Sequence, residues 1–300
     1  MTSNFPTHQG LIKKQTLTQP DIAEVAQLAD LCERHDQLHM RISWTALRSR
    51  SGNEYNDMFY YQDEQLVGYL ALDGWGGTER ELVGMVHPAY RRRGIFFSLF
   101  QSAQQECARL SIPQVILVCE RSSASGRAFA QHVGAQLELS EHEMWLNSFK
   151  ERSTFDDRVS FKLATQSDLE ALVTVQAQSF GVPELLSRQS LLHRLQDPTC
   201  RIFLATFGEP GLGCHEPLGL LRLQEEDDLI GIYGFGVIPN YRGRGYGRQM
   251  LEDAIRLIRS ESQKPIMLDV DTSNERALAL YLSCGFEIKT TYDYLNVATF

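Results

Sequence analysis

An internal repeat restricts this chain to a small set of architectures. The run Val86-His-Pro88-Ala-Tyr90-Arg91-Arg92-Arg93-Gly94 returns as Val237-Ile-Pro239-Asn-Tyr241-Arg242-Gly243-Arg244-Gly245, 151 positions later. Gly134 and Gly285 keep the same spacing of 151. The openings of the two halves also match, at a spacing of 147. In each, a short apolar strand, from Leu11 or from Val159, leads to a helix start. The starts are Thr18-Gln-Pro20-Asp21 and Thr165-Gln-Ser-Asp168. A period this long is not that of a solenoid; it is the size of an ordinary domain. The 300 residues therefore read as two tandem domains, 1–150 and 151–300, joined in the charged stretch from Lys150 to Arg158.

Within each half the local signals follow one order. Met58–Tyr61 with Gln65–Ala71, and Arg201–Thr206 with Pro217–Leu223, read as hairpins. Leu229 to Ile238 reads as a strand, with the acidic run Glu225–Asp228 in the turn before it. Helical periodicity follows each glycine-bearing run. In the first half Phe96, Leu99, Phe100, Ala103, Cys107 and Leu110 share a face. In the second, Met250, Leu251, Ala254, Ile255 and Ile258 do, with Glu252, Asp253, Arg256 and Arg259 expected to face water. Leu268–Asp271 reads as a strand, and Asn274 and Gly285 as the N-cap and C′ residues of the next helix. The expected fold class is α/β: two tandem domains, each a mixed, mostly antiparallel sheet flanked by helices.

The strand, glycine turn and helix start around residue 243 make an anion site. First-turn N–H groups of a helix lack intrahelical partners, and glycines let a ligand approach the backbone. Such a site suits phosphate, and Arg242, Arg244 and Arg248 add positive charge. The Walker pattern is absent, and glycines at 243, 245 and 247 do not fit the dinucleotide spacing. Arg242-x-x-Gly245-x-Gly247 resembles instead the loop with which the GNAT acyltransferases hold the pyrophosphate of coenzyme A. Asn274…Ala277…Leu280-Tyr281-x-x-x-Gly285-Phe286 resembles the second cofactor segment of that family. The resemblance implies acetyl-coenzyme A as cosubstrate, with Val237, Arg242, Gly243, Arg244, Gly245, Tyr246, Gly247, Arg248, Asn274 and Tyr281 around it. It also implies parallel fourth and fifth strands that part to admit the pantetheine arm.

The implied reaction is acetyl transfer to a primary amine of a small molecule or peptide, by direct attack in a ternary complex. An amine protonated near neutral pH cannot attack a thioester, so a base is needed. Asp269 and Asp271 lie two apart on one strand and so share a face. By resemblance Asp269 is the base, Tyr281 the acid that protonates the departing thiolate, and the Val237 N–H the oxyanion donor. Gly234 and Gly236 mark either a strand bulge or close packing. The first half departs from this pattern. Phe96 stands for the last loop glycine, Ala130 for the tyrosine, Ser123 for the asparagine, and Val118 or Leu117 for Asp269. Glu79 and Glu81 are the remaining acids for a base there. The alternative is a non-catalytic acyl-coenzyme A-binding or sensing protein. The fused pair is also similar to the mycothiol synthases, and the ending of the chain to the ribosomal-protein N-terminal acetyltransferases. Neither resemblance specifies the acceptor.

Composition narrows the partners. A hydrophobic content of 43% and a charged content of 22% suit a soluble globular protein, and no apolar run reaches the length of a membrane helix. The start Met1-Thr-Ser-Asn-Phe-Pro6 shows no secretory pattern. Cysteines 32, 107, 119, 200, 214 and 284 form no Cys-x-x-Cys pair, which suits reduced thiols in a cytoplasmic setting. A net charge of −9 disfavours nucleic acid. Cys32, His35 and His39 fall at helical spacing but lack a fourth ligand, so no metal is assigned. The expected assembly is a monomer or a homodimer.

Overall fold

A computed structural model describes residues 9–74, 78–152, 155–208 and 215–297. The start Met1–Pro6 and Cys214 lie outside the described residues. In chain order the first half gives β1 (Gly10–Lys14), α1 (Gln19–Asp36), α2 (Trp44–Arg48), β2 (Asp57–Gln62), β3 (Gln65–Asp73), β4 (Glu79–Val86), α3 (Ile95–Arg109), β5 (Gln114–Glu120), α4 (Ala124–His132) and β6 (Gln136–Leu146). The second gives β7 (Val159–Leu163), α5 (Leu169–Phe180), α6 (Glu184–Leu195), β8 (Cys200–Phe207), β9 (Glu216–Glu225), β10 (Ile230–Val237), α7 (Tyr246–Glu261), β11 (Ile266–Asp271), α8 (Glu275–Cys284) and β12 (Phe286–Val297). The chain forms two compact units, Met1–Glu141 with Thr290–Phe300, and His142–Lys289.

The helix starts have local causes. Thr18 and Asp21 form a reciprocal capping box at α1, with the Thr18 N–H donating to Asp21 at 2.9 Å. Thr165 and Asp168 repeat it before α5, again at 2.9 Å. Asn274 caps α8 by accepting from the Ala277 N–H at 3.2 Å, and Gly285 closes that helix with φ of 100°.

In the first unit β1 to β4 are antiparallel neighbours. β4 then runs parallel to β5, paired from Glu79–Gln114 to Leu82–Leu117. The neighbour of β5 on its other side is the end of β12, with Tyr292–Val297 antiparallel to Val115–Glu120. Alternation sends Leu70, Leu82 and Leu117 to the α3–α4 face, where they meet Leu99, Phe100 and Ala103 of α3. Val25, Leu28, Phe59, Tyr69 and Met85 pack on the α1–α2 face. Asp57, fully buried, accepts from Arg50 at 2.9 and 3.1 Å and from the Tyr69 hydroxyl at 2.6 Å.

The second unit repeats the scheme. β7 to β10 are antiparallel, and β10 runs parallel to β11 from Ile230–Ile266 to Ile232–Leu268. The strand beyond β11 is β6. One difference separates the two sheets. β3 and β4 pair in regular register, whereas the β9–β10 register shifts between Tyr233 and Gly236. That shift is a β-bulge, made with Gly234 at φ of 53°, while at Gly236 a Cβ would stand 2.6 Å from the Phe180 ring, so each of the two strand readings holds at one glycine. The face of α7 differs from expectation at one residue. Glu252 does not face water: it is 1% exposed, because the Arg248 guanidinium donates to it at 2.6 Å and removes the reason for it to seek solvent.

Candidate functional site

In the second unit the loop after β10 forms as its glycines require. Gly243 and Gly245 take φ of 75° and 86°, and Gly245 is the N-cap of α7. This leaves the first-turn N–H groups from Tyr246 onward facing out of the helix end. A small cavity of about 160 Å³, lined by Arg152, Asp156, Arg244, Gly245, Tyr246 and Arg248, opens beside it. The three arginines divide their work. Arg244 is exposed and stands 5.6 Å from the Tyr241 ring. Arg242 turns back: its Nε donates to the Val237 carbonyl at 2.8 Å and its Nη2 to the Ser179 carbonyl at 3.1 Å. Arg248 is buried and donates to Glu252, to the Ser283 hydroxyl and to the Lys150 carbonyl, the last two at 2.7 Å. Arg242 and Arg248 thus shape the loop and helix, and Arg244 offers its charge.

Beyond Ile232 and Leu268 the pairing of β10 and β11 ends. The Ile238 N–H is spent on the Leu218 carbonyl at 2.9 Å, so the Val237 N–H, one residue earlier, points the other way, into the opening. Tyr281 on α8 flanks that opening, its ring centroid 6.2 Å from that of Phe235. Its hydroxyl makes no hydrogen bond among the described residues, and burial pushes its pKa up. Asp269 and Asp271 are half-buried. They point to the α5–α6 face, since Ile266, Leu268 and Val270 fill the opposite core. Asp271 accepts from the Ser273 N–H and hydroxyl, each at 2.7 Å.

The first unit holds a larger cavity, about 730 Å³. One end carries Arg91, Arg92 and Gly94; the middle runs between Val83–Val86 and Leu117–Glu120; the far end meets His39, Arg41 and Tyr292. Its loop follows the path of the other loop, with Arg92 at φ of 63° where the second unit has Gly243. Arg91 repeats the role of Arg242, donating to the Val86 carbonyl at 3.0 Å and to Asp36. The difference in room has a side-chain cause. Gly84 and Ala130 stand 151 positions before Phe235 and Tyr281, so the second unit carries two rings at positions where the first has none, with Phe96 packed against Gly84 instead. Periodicity reports that a position faces inward; it does not report whether facing side chains leave a void.

The metal reading does not gather. α1 ends at Asp36, so His39 lies beyond the helix, and His35 Nδ1 is 2.8 Å from Asp36. Glu81 of β4, where β4 and β5 begin to part, is half-buried, with Glu79 two residues away. Burial pushes the Glu81 carboxyl up to about 7; Arg41 opposes this, while Asp73, Glu141 and Glu79 add to it. Arg41 itself lies 5.3 Å from the Tyr292 ring and 5.8 Å from the Tyr294 ring. Tyr292 and Tyr294 reach this cluster only through the pairing of β12 with β5, which no local signal announces.

The model of the acetyltransferase (GNAT) family matches twice, at residues 22–135 and 169–286. A mycothiol acetyltransferase of Thermomonospora curvata is 28% identical over 290 residues, spanning 93% of this chain and 94% of its own. Among solved structures, a GCN5-related N-acetyltransferase from Sphaerobacter thermophilus superposes with a TM-score of 0.78 at 19% identity, covering 96% of each chain. A tandem GNAT protein of the clavulanic acid biosynthesis pathway gives 0.71 at 14% identity, covering 97% of this chain and 98% of that one.

Proposed function

The chain belongs to the GNAT family of acetyltransferases, and on that premise we propose that its second unit transfers the acetyl group of acetyl-coenzyme A directly to a bound primary amine. The observation that carries this is the bulge on β10 beside the opening of β10 from β11, with the Val237 N–H and Tyr281 turned to one gap. The first unit has no register shift at β4 and has Ala130 in place of the tyrosine.

Acetyl-coenzyme A supplies an activated thioester. The N–H groups of Gly243, Gly245, Tyr246, Gly247 and Arg248, with the Arg244 charge, hold its pyrophosphate. Arg242 and the Asn274 cap position the two segments that flank it. Asp269 accepts the amine proton directly or through water, freeing the lone pair for attack on the carbonyl carbon. The Val237 N–H steadies the negative oxygen that develops. Tyr281 gives its proton to the leaving thiolate. A tyrosine hydroxyl is protonated at neutral pH, as an acid must be, and burial shifts it further in that direction. The acceptor is an amine of a small molecule or a peptide; the name of the Thermomonospora relative supports the former.

Calorimetric titration with acetyl-coenzyme A, joined to turnover assays, tests the assignment. Asp269→Asn and Tyr281→Phe are expected to lower turnover by about 10²-fold while leaving cofactor affinity within a few-fold. Full turnover in either variant removes that residue's role. The cavity of the first unit supports a second reading, a coenzyme A site there as well. Two sites per chain favour it; one site, lost on replacing Gly245 by a bulky residue, leaves the first unit as scaffold. Loss of turnover in Glu81→Gln but not in Asp269→Asn would move the chemistry to the first unit.

A further inference from the structure

A basic cluster in the second unit takes no part in the machinery above. Arg222 of β9 lies on the α5–α6 face, because Leu220 packs in that core while Leu221 and Leu223 fill the opposite one. Tyr233, Met267 and Asp269 share the face: Ile232 and Leu268 turn the other way, and the Tyr233 hydroxyl meets Met267 Sδ at 3.5 Å. The Arg222 guanidinium sits 4.8 Å from the Tyr233 ring centroid. Its Nη1 donates to Gln224 Oε1 at 3.2 Å, its Nε is buried without a hydrogen bond, and the Cys200 thiol lies beside the guanidinium.

Arg194 is in the last turn of α6, whose Leu191 and Leu195 pack in the same core as Leu220, and it is near enough to feel the Arg222 charge. Its side chain is half-buried and forms no hydrogen bond or ion pair among the described residues. Burial, and then the charge of Arg222, pushes its pKa down. The neighbouring groups offset the pair only in part. Asp197 accepts from the Thr199 N–H and hydroxyl at 2.8 and 2.6 Å, which with the weaker pull of the Arg222 charge lowers its pKa, and the Cys200 thiol, raised by burial, remains neutral. Two like charges drawn out of water with one partly engaged carboxylate beside them are unfavourable. The duplication does not require them: Ala71, buried, stands 151 positions before Arg222.

We propose that Arg194 and Arg222 form an anion subsite on the acceptor face of the second unit, taking a carboxylate or phosphate group of the substrate whose amine lies toward Asp269. The planar fork of arginine matches both groups, and the Tyr233 ring holds the Arg222 fork in plane. The acceptor is then an amino acid, an amino phosphate or a similar zwitterion rather than a simple amine. The assignment of the face to the acceptor rests on the proposed function; the anion site itself does not.

The test titrates protein saturated with coenzyme A, so that the phosphate loops are filled, with inorganic phosphate and separately with succinate. At least one is expected to bind and to raise the melting temperature. Arg222→Met and Arg194→Met should each weaken that binding about 10- to 100-fold, the worth of a hydrogen bond to a charged group. Arg222→Lys keeps the charge without the fork and should weaken it too. Phosphate binding alone points to a phosphorylated acceptor, succinate alone to a carboxylate. Without anion, both Met variants should melt above the wild type, because the like-charge repulsion is gone. No binding to the wild type, binding unchanged in the variants, or lowered melting in both overturns the proposal. These readouts do not use turnover, so an anion bound by a second unit that transfers nothing would sink the transfer reading and leave this one standing.

Discussion

Arg248 and Glu81 show how one residue's surroundings decide its part. Arg248 belongs by position to a phosphate loop, yet its guanidinium is enclosed with Glu252, which is 1% exposed. Truncating one partner of a buried pair leaves the other charge without compensation. Arg248→Ala should therefore cost about 3–5 kcal/mol in denaturant unfolding, far more than loss of a surface cation. Glu81 is raised to about 7, above its unfolded value of 4.5. A raised acid favours the folded state when protonated, so the sign is definite. Its contribution is fully present below pH 4.5 and lost as pH climbs through 7. Glu81→Gln should leave stability unchanged at pH 4 and raise it by about 2 kcal/mol at pH 8, read from parallel denaturant melts.

At the scale of elements, the end of α8 and the bulge of β10 are the sensitive joints. Gly285 stops α8 at φ of 100°, and a Cβ there would stand 1.7 Å from the Ser148 carbonyl oxygen. The Asn147 N–H donates to the Gly285 carbonyl at 3.1 Å, so neither segment can withdraw freely. Gly285→Ala should destabilise by about 2–4 kcal/mol, from left-handed strain and backbone overlap together. Strand β10 turns its bulge at Gly234, where β4 of the first unit runs straight. The repeat hides this, because one added residue shifts the spacing without altering the hydrophobic pattern on either side.

For the whole molecule, the route of β12 matters most. Its C-terminal part pairs with β5 and belongs to the first unit, although it closes the second repeat. Tyr292 is 2% exposed and Tyr294 7% exposed, packed on Ile116. Ending the chain after Lys289 would strip β5 of a neighbour and uncover this cluster. Differential scanning calorimetry should then show the first unit melting well below the second. A single unshifted transition would count against that dependence.

The sequence alone determined the duplication, the strand and helix order, the caps at Thr18, Thr165 and Asn274, and the two glycine loops. These are legible because backbone hydrogen bonding and 2.0- or 3.6-residue periodicity act over a few positions. Of the candidate site, the loop of residues 242–248 and the shared face of Asp269 and Asp271 could be read in the same local way. Tertiary structure decided the rest. It turned Arg242 back onto the Val237 carbonyl, buried Arg248 and Glu252, opened the cavity beside Gly84 and Ala130, and brought Tyr292 and Tyr294 beside β5. Arg194 and Arg222 likewise come within reach of each other's charge only when α6 folds onto the sheet. Pairing between distant strands and the fit of facing side chains depend on residues far apart in the chain, and no short window contains both partners.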